Sequence, residues 1–122
     1  HPQPLTPLEL AQRIAGLARE KLAEDVVILD MRPVAIYTDF FVVCSGRNTR
    51  QTMAIYDDVR ERLKHDDALL PRSVEGQSQG AWIIADYLDV VLHVFTPETR
   101  DYYRLEDLWG DVPSVAVAAA AG

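Results

Sequence analysis

The spacing of apolar and polar positions along the chain predicts a helix near its start. Thr6 and Glu9 have the spacing of a capping box around Pro7, and proline suits the first turn of a helix. Apolar residues at helical spacing then continue to about Leu22. They include Leu10, Ile14 and Leu17, which define one buried face.

Five short segments further along the chain are predicted as strands, and all but the one at residues 72–74 are apolar. They are Val26–Leu29, Phe40–Cys44, a short run at Arg72–Val74, Ala81–Ala85 and Val90–Phe95. The run Phe40–Cys44 is apolar on both faces, as in a central strand of a sheet that is covered on both sides. The last two runs flank Asp86–Asp89 and are predicted to form a hairpin.

Two further helices complete the pattern. One is capped by Asn48 or Thr49. Its inward positions are Met53, Tyr56, Val59 and Leu63. The other is predicted to begin at Thr96–Glu98 and to end at Gly110. The core positions expected of this last helix are Tyr103, Leu105 and Trp109.

Helices and strands in this order predict an α/β fold. We expect a single domain in which a mixed sheet of about five strands is flanked by helices. The domain is expected to span residues 5–113. Residues 114–122 are mostly small, and this tail is expected to be unstructured.

Composition and charge narrow the class of protein. The chain has 122 residues and one cysteine, with no signal-peptide pattern and no apolar run near the roughly 20 residues of a membrane span. We therefore expect a cytoplasmic protein with no membrane partner. Its formal net charge is −7, from 12 basic and 19 acidic side chains. Because nucleic-acid binding needs basic stripes, we expect no direct nucleic-acid readout, and a basic protein as the more natural charged partner.

The only cysteine raises an enzymatic alternative. Cys44 and Arg50 have the spacing of the phosphate-binding loop of cysteine phosphatases, so a small phosphate-ester enzyme would use the Cys44–Arg50 loop. However, Cys44 ends an apolar strand, the loop has one glycine, and Gln51 stands where phosphatase loops carry Ser or Thr. A strand-to-helix turn is the favoured interpretation, and no catalytic residue is predicted.

The carboxylates and the strand histidine do not predict a metal site. Asp86 and Asp89 are three residues apart across a turn, whereas a two-carboxylate magnesium site needs them two apart on one strand. Turn formation is their favoured role. His93 lies in the middle of a strand without a second ligand at metal spacing, so a hydrogen-bonded strand histidine is expected. We predict no metal and no cofactor.

The strand that begins at Trp82 is apolar on both of its faces. Alternation places Trp82, Ile84 and Asp86 on the same face. Either this face is covered by the protein's own core or it is presented to a partner, and the pattern leaves both options open.

Three segments together resemble the ribosomal silencing factor S family, also called Iojap-like proteins. They are KLAEDVVILDM, DFFVVCSGRNTRQTMAI and AWIIADYLDVVLHVFTPETRDYYRLEDLW. The resemblance covers about residues 5–113, which is nearly the whole chain. The family pattern usually has a glycine at the position of Leu88.

The resemblance implies a non-enzymatic protein whose fold is like a minimal nucleotidyltransferase without its catalytic carboxylates. It implies binding to the large ribosomal subunit at its fourteenth protein, which blocks joining of the small subunit and damps translation under nutrient limitation. With such a partner, Trp82 and Ile84 are expected to form the apolar centre of the binding face, with Asp86, Tyr87 and Glu75 around it. In the free protein, a homodimer is expected to cover this face.

Overall fold

The protein is described here by a computed structural model that covers residues 5–103 and 112–117. Within these ranges the chain forms three helices, α1 to α3, and six strands, β1 to β6. In chain order they are α1 Pro7–Glu20, β1 Glu24–Asp30, β2 Phe40–Ser45, α2 Thr49–Asp67, β3 Ser73–Glu75, β4 Trp82–Asp86, β5 Val90–Phe95, α3 Pro97–Tyr103 and β6 Ser114–Val115.

The six strands form one mixed sheet in the order β3-β4-β5-β2-β1-β6. The central neighbours β2 and β5 are parallel, and every other neighbouring pair is antiparallel. All residues of β2 and β5 are buried. The predicted α/β class and the central position of Phe40–Cys44 are therefore confirmed.

The helix starts follow from local capping. The Thr6 hydroxyl accepts a hydrogen bond from the Glu9 backbone at 3.1 Å, and the Glu9 carboxylate accepts one from the Thr6 backbone at 2.9 Å. These reciprocal bonds form the predicted capping box of α1. At α2 the cap is Asn48, whose side-chain oxygen accepts a hydrogen bond from the Gln51 backbone at 2.9 Å.

The two faces of the sheet carry separate apolar clusters. The helical face packs against α1 and α2 and includes the sheet residues Ile28, Phe40, Val42, Cys44, Ile83, Ala85, Val90, Leu92 and Val94. The second face carries Leu29, Met31, Phe41, Val43, Val91 and Phe95, all of them buried. Half-buried residues that pack against this second cluster are Val27, Ala35, Trp82, Ile84 and Val112. The half-buried members of β4 therefore lie at the margin of a packed face.

The sheet has one strand more than the sequence predicts. In β6, Val115 pairs with Ile28 and Ser114 with Leu29, both in β1. The expectation that the chain is unstructured from residue 114 is therefore wrong for these two residues. Without β6, the backbone N–H and C=O groups on the outer edge of β1 would have no strand to pair with. The sequence around Ser114 has no local strand pattern, so this pairing cannot be predicted from it.

The last predicted helix is only partly within the described residues. Helix α3 begins at Pro97, as the sequence predicts. The predicted end of this helix at Gly110 lies outside the described residues, as do Leu105 and Trp109 and the side chain of Tyr103. Residues 118–122 of the predicted tail also lie outside them.

Candidate partner-binding face

Strand β4 turns alternate side chains toward the two faces of the sheet. Ile83 and Ala85 are completely buried in the cluster of the helical face. Trp82, Ile84 and Asp86 lie on the second face and are half-buried. The alternation predicted for this strand is the one observed, and it leaves three neighbouring side chains partly open to solvent.

The strand register aligns other residues with this group. Ile84 pairs with Glu75 of β3 on one side and with His93 of β5 on the other. Trp82 pairs with Phe95. Because paired residues of antiparallel strands share a face, Glu75, Ile84 and His93 form one row of side chains, with Trp82 and Phe95 in the next. We call the half-buried Trp82, Ile84 and Asp86 of β4, together with the exposed Glu75 of β3, the β4 face.

Trp82 is fixed on its inner side by two aromatic neighbours. Its ring is stacked on that of Phe95, with 4.9 Å between centroids and 27° between planes. Its indole Nε1 donates a hydrogen bond to Nδ1 of His93, 3.1 Å away. Phe95 is completely buried, whereas Trp82 remains half-buried. The indole is therefore held against the protein's core, while Trp82 keeps part of its surface exposed.

His93 is enclosed at the centre of the second face. Its ring centroid lies 4.5 Å from that of Phe41, and the residue is 5% exposed. Burial lowers the pKa of His93 from 6.5 to about 4, so the imidazole is neutral near pH 7. The expected hydrogen-bonded strand histidine is confirmed by its bond to Trp82. The other ring nitrogen, Nε2, is buried and has no hydrogen-bond partner among the described residues.

Asp86 is half-buried, and its carboxylate is hydrogen-bonded within the protein. Its carboxylate accepts a hydrogen bond from the Arg72 guanidinium at 2.9 Å and another from the Leu88 backbone at 2.7 Å. The second bond supports the turn between β4 and β5, which confirms a turn-forming role for this aspartate. Arg72 was not predicted as part of the site, because its pairing with Asp86 depends on the fold of β3 beside β4.

Glu75 lies on the edge strand β3 and is exposed. The residue that follows it, Gly76, has a φ of +80°, a conformation that L side chains rarely adopt. A Cβ at Gly76 would also collide with the carbonyl oxygen of Trp82. The chain after Glu75 therefore runs directly against the start of β4 and holds these two parts of the β4 face together.

Tyr87 does not join the other predicted binding residues. It is 4% exposed and belongs to the cluster on the helical face, on the opposite side of the sheet from Trp82. Burial raises the pKa of its hydroxyl group. The prediction grouped Tyr87 with Asp86 by closeness in sequence, but β4 ends at Asp86 and the next side chain turns inward. We therefore correct the predicted binding set by removing Tyr87.

Leu88 occupies a turn conformation that suits glycine. Its φ is +77°, in the left-handed region that favours glycine. The Tyr87 backbone N–H donates to the Val90 carbonyl at 2.8 Å, and the Asp89 N–H donates to the Tyr87 carbonyl at 3.0 Å. The hairpin is therefore the predicted one, and its turn tolerates a leucine at a strained position.

The Cys44–Arg50 loop lacks the geometry of a phosphatase site. Cys44 has no exposed surface and lies in the cluster between the sheet and the two long helices. Burial raises the pKa of its thiol to about 12, which disfavours the thiolate that attacks phosphate. Arg50 is exposed at the start of α2. The buried thiol and the exposed arginine do not converge on one pocket, as the turn interpretation predicts.

Within residues 5–103 and 112–117, no group of three or more His, Cys, Asp or Glu side chains is arranged to hold a metal ion. Over the same residues, no helix is both long and apolar enough to cross a membrane.

Fold and site together define a class of protein: a small mixed α/β domain with a half-open apolar strand on one face of its sheet. Comparison with known proteins makes this class specific. Residues 4–121 match the model of a family described as ribosomal silencing factor during starvation. Because the match spans nearly the whole chain, the protein belongs to the ribosomal silencing factor family.

Individual relatives agree with this assignment. The ribosomal silencing factor RsfS of Halalkalibacterium halodurans is 37% identical over 107 residues, which cover 88% of this chain and 91% of the relative. A mouse protein, mitochondrial assembly of ribosomal large subunit protein 1, is 35% identical over 101 residues, covering 79% of this chain and 43% of its own. A crystal structure of a Chromobacterium violaceum protein has a TM-score of 0.83 at 28% identity, covering 96% of this chain and 97% of that one.

Proposed function

We propose that this protein represses translation by binding the large ribosomal subunit at its fourteenth protein. The bound domain then prevents the small subunit from joining, which lowers translation when nutrients are scarce. The observation that carries the proposal is the half-open pair Trp82 and Ile84 on a sheet face whose other apolar residues are largely buried. The family description, which refers to silencing during starvation, and the mouse relative's name, which refers to the large subunit, support this choice of partner.

Trp82 has the features of an interface anchor. Such anchors are enriched in tryptophan and lie in desolvated centres, where a few residues contribute most of the binding energy. Stacking on Phe95 and the bond to His93 already restrict the indole, so little side-chain freedom is lost when a partner covers its exposed part. Ile84, next along the same face, extends the apolar area.

Charge around this centre favours a basic partner. Glu75 is exposed beside Ile84, whereas Asp86, at the end of β4, is paired with Arg72. The whole chain carries a formal net charge of −7. Electrostatic complementarity of this kind speeds association and excludes like-charged surfaces more than it strengthens the final complex. A basic ribosomal protein fits these charges better than bare RNA, and the complex would form in the cytoplasm.

The proposed mechanism is steric. A folded domain of 13.7 kDa on a surface where two subunits meet excludes the second subunit by its volume alone. No covalent step is involved, and the enclosed Cys44 has no part in it. Binding and inhibition should therefore be lost together when the anchor is removed.

Sedimentation with purified ribosomal subunits tests this function. We expect the wild-type protein to migrate with the large subunit in a sucrose gradient and to reduce the yield of joined ribosomes. Ile84→Ala should lose most of both effects, because it removes part of the apolar centre. Ile36→Ala is a matched control, since Ile36 is a fully exposed isoleucine in the loop before β2. Migration of Ile84→Ala with the large subunit at the wild-type level would rule out this face.

In the free protein, we propose that the same face forms a homodimer. Half-open apolar side chains are often covered in solution, and a two-fold dimer is the commonest symmetric way to do so. Dimer formation and ribosome binding would then compete. Analytical ultracentrifugation of wild type and Trp82→Ala tests this point, and equal dimer constants for the two proteins would exclude it.

A further inference from the structure

We infer that His93 is a positioning residue of the partner-binding face, whose Nδ1 atom holds the Trp82 indole in its binding orientation. The inference deepens the proposed function and rests on it, since it takes Trp82 as the anchor. His93 is itself too deeply buried to touch a partner. Its role would be exerted entirely through the side chain that it holds.

The contact between these residues is diagonal and depends on the two side chains. Trp82 pairs directly with Phe95, while His93 lies two residues earlier on β5 and pairs with Ile84. Diagonal neighbours on a sheet are farther apart than direct pairs, so only long or aromatic side chains bridge them. The indole Nε1 and the imidazole Nδ1 are nevertheless 3.1 Å apart. This hydrogen bond sets the orientation of the indole ring in addition to its stacking on Phe95.

The bond also determines where the imidazole proton lies. A neutral histidine carries one proton, so Nδ1 accepts from Trp82 only when the proton is on Nε2. That Nε2–H group is buried and has no acceptor among the described residues. A buried unpaired donor lowers the stability of the fold, and an apolar side chain in the same place would avoid that loss. Packing alone would therefore favour an apolar side chain at position 93. The histidine is explained by its Nδ1 atom, which accepts the hydrogen bond from Trp82.

The orientation of Trp82 matters because binding is weakened by disorder in the free protein. Without this hydrogen bond, a half-buried indole would sample more orientations, and a partner would select one of them. The hydrogen bond that the indole donates to the buried strand β5 restricts it to one orientation before the partner binds. We expect its loss to weaken binding, with Trp82 itself unchanged.

Two substitutions of His93 separate positioning from packing. His93→Leu removes the acceptor and the unpaired donor together, so we expect a fold at least as stable as wild type and roughly tenfold weaker binding to the isolated fourteenth protein of the large subunit. His93→Asn is smaller and polar but retains an oxygen near the position of Nδ1. It should be less stable than wild type and bind within about threefold of it. Stability and binding would then change in opposite directions.

A second readout needs no ribosomal partner. The indole N–H of Trp82 can be observed by ¹⁵N NMR and assigned by its absence in Trp82→Phe. In His93→Leu we expect this proton to lose its hydrogen-bonded chemical shift and to exchange faster with water, while His93→Asn keeps most of the shift. Val43→Ala is a matched control, because Val43 pairs with His93 on β2 and its truncation removes packing without removing the bond. Its indole signal and its binding should stay as in wild type.

The outcomes distinguish this inference from the function on which it rests. If Trp82→Ala loses binding while His93→Leu binds like wild type, His93 has no positioning role and the proposed function stands. If folded Trp82→Ala binds normally, the proposed binding face is wrong, whatever His93 does. A His93→Leu protein that is clearly less stable than wild type would overturn the argument from the unpaired Nε2. Should His93→Leu fail to fold, His93→Phe, which keeps a ring beside Phe41, replaces it with the same expectations.

Discussion

The guanidinium of Arg72 donates a hydrogen bond to the carboxylate of Asp86, with 2.9 Å between Arg72 Nη2 and Asp86 Oδ2. The two residues are also joined through the backbone, because the Arg72 N–H donates to the Asp86 carbonyl at 2.7 Å. The Arg72 side chain is 57% exposed and that of Asp86 only 22%. An approaching partner therefore encounters a pair of opposite charges in which the positive member is the more exposed.

This pair leads to two predictions of opposite sign for the rate of association with a basic partner. Arg72→Gln removes the positive charge and leaves Asp86 unopposed, so association should become about two to three times faster at low salt. Asp86→Asn leaves Arg72 unopposed and should slow association by a similar factor. Rates measured on the immobilised fourteenth protein at several salt concentrations test both.

The control for the pair is Glu75, an exposed carboxylate that forms no ion pair with any of the described residues. Glu75→Gln should slow association and reduce its salt dependence without moving the turn after β4. Both effects should fade above physiological salt, where exposed charges are screened. If Arg72→Gln and Asp86→Asn change the rate in the same direction, the partner does not sense the charge of this pair.

The burial of His93 makes stability depend on pH in a defined window. The unfolded chain binds a proton at His93 below about pH 6.5, whereas in the fold its pKa is about 4. Between these values the unfolded state holds the extra proton. The free energy of unfolding should therefore fall as the pH drops through this window, by about 3 kcal/mol in total.

Urea unfolding between pH 4 and 7 measures this dependence. His93→Leu should lose this part of the slope, while all other ionisable groups are shared by the two proteins. The difference between the two curves therefore reports His93 alone. Parallel curves for wild type and His93→Leu would mean that His93 is not held neutral by the fold.

Cys44 should prove structural and chemically unreactive. Because its thiol is enclosed and its pKa is raised to about 12, iodoacetamide should modify it at pH 8 only after unfolding. Cys44→Ser places a hydroxyl among apolar side chains and should cost about 2 kcal/mol of stability, more than Cys44→Ala. Both folded variants should bind the ribosome like wild type. Loss of binding at unchanged stability in either variant would give Cys44 a functional role.

The sequence predicted those elements whose signals are local. The capping box at Thr6 and Glu9 depends on four neighbouring residues, and the central strand Phe40–Cys44 is apolar at every position. Alternation along β4 was enough to place Trp82 and Ile84 on one face. In these cases the pattern that defines the element also stabilises it.

Other features depend on contacts between distant parts of the chain. The two-residue strand β6 forms because the outer edge of β1 is available for pairing. Ser114 and Val115 by themselves carry no strand pattern. Tyr87 is adjacent to Asp86 in the sequence, but its side chain lies in the cluster on the helical face with Ile83 and Ala85. The contacts of Asp86 with Arg72 and of Trp82 with His93 need the strand register, which the sequence does not specify directly.

The most direct test of the proposed binding face is the rate at which Trp82→Ala dissociates from the immobilised fourteenth protein of the large subunit. Removing the anchor should weaken binding by about 2 kcal/mol, or roughly 30-fold, mostly through faster dissociation. Tyr37→Ala, which truncates a 56% exposed tyrosine in the loop before β2, should dissociate at the wild-type rate. Circular dichroism confirms that both variants are folded. A folded Trp82→Ala protein that dissociates as slowly as wild type would contradict the account.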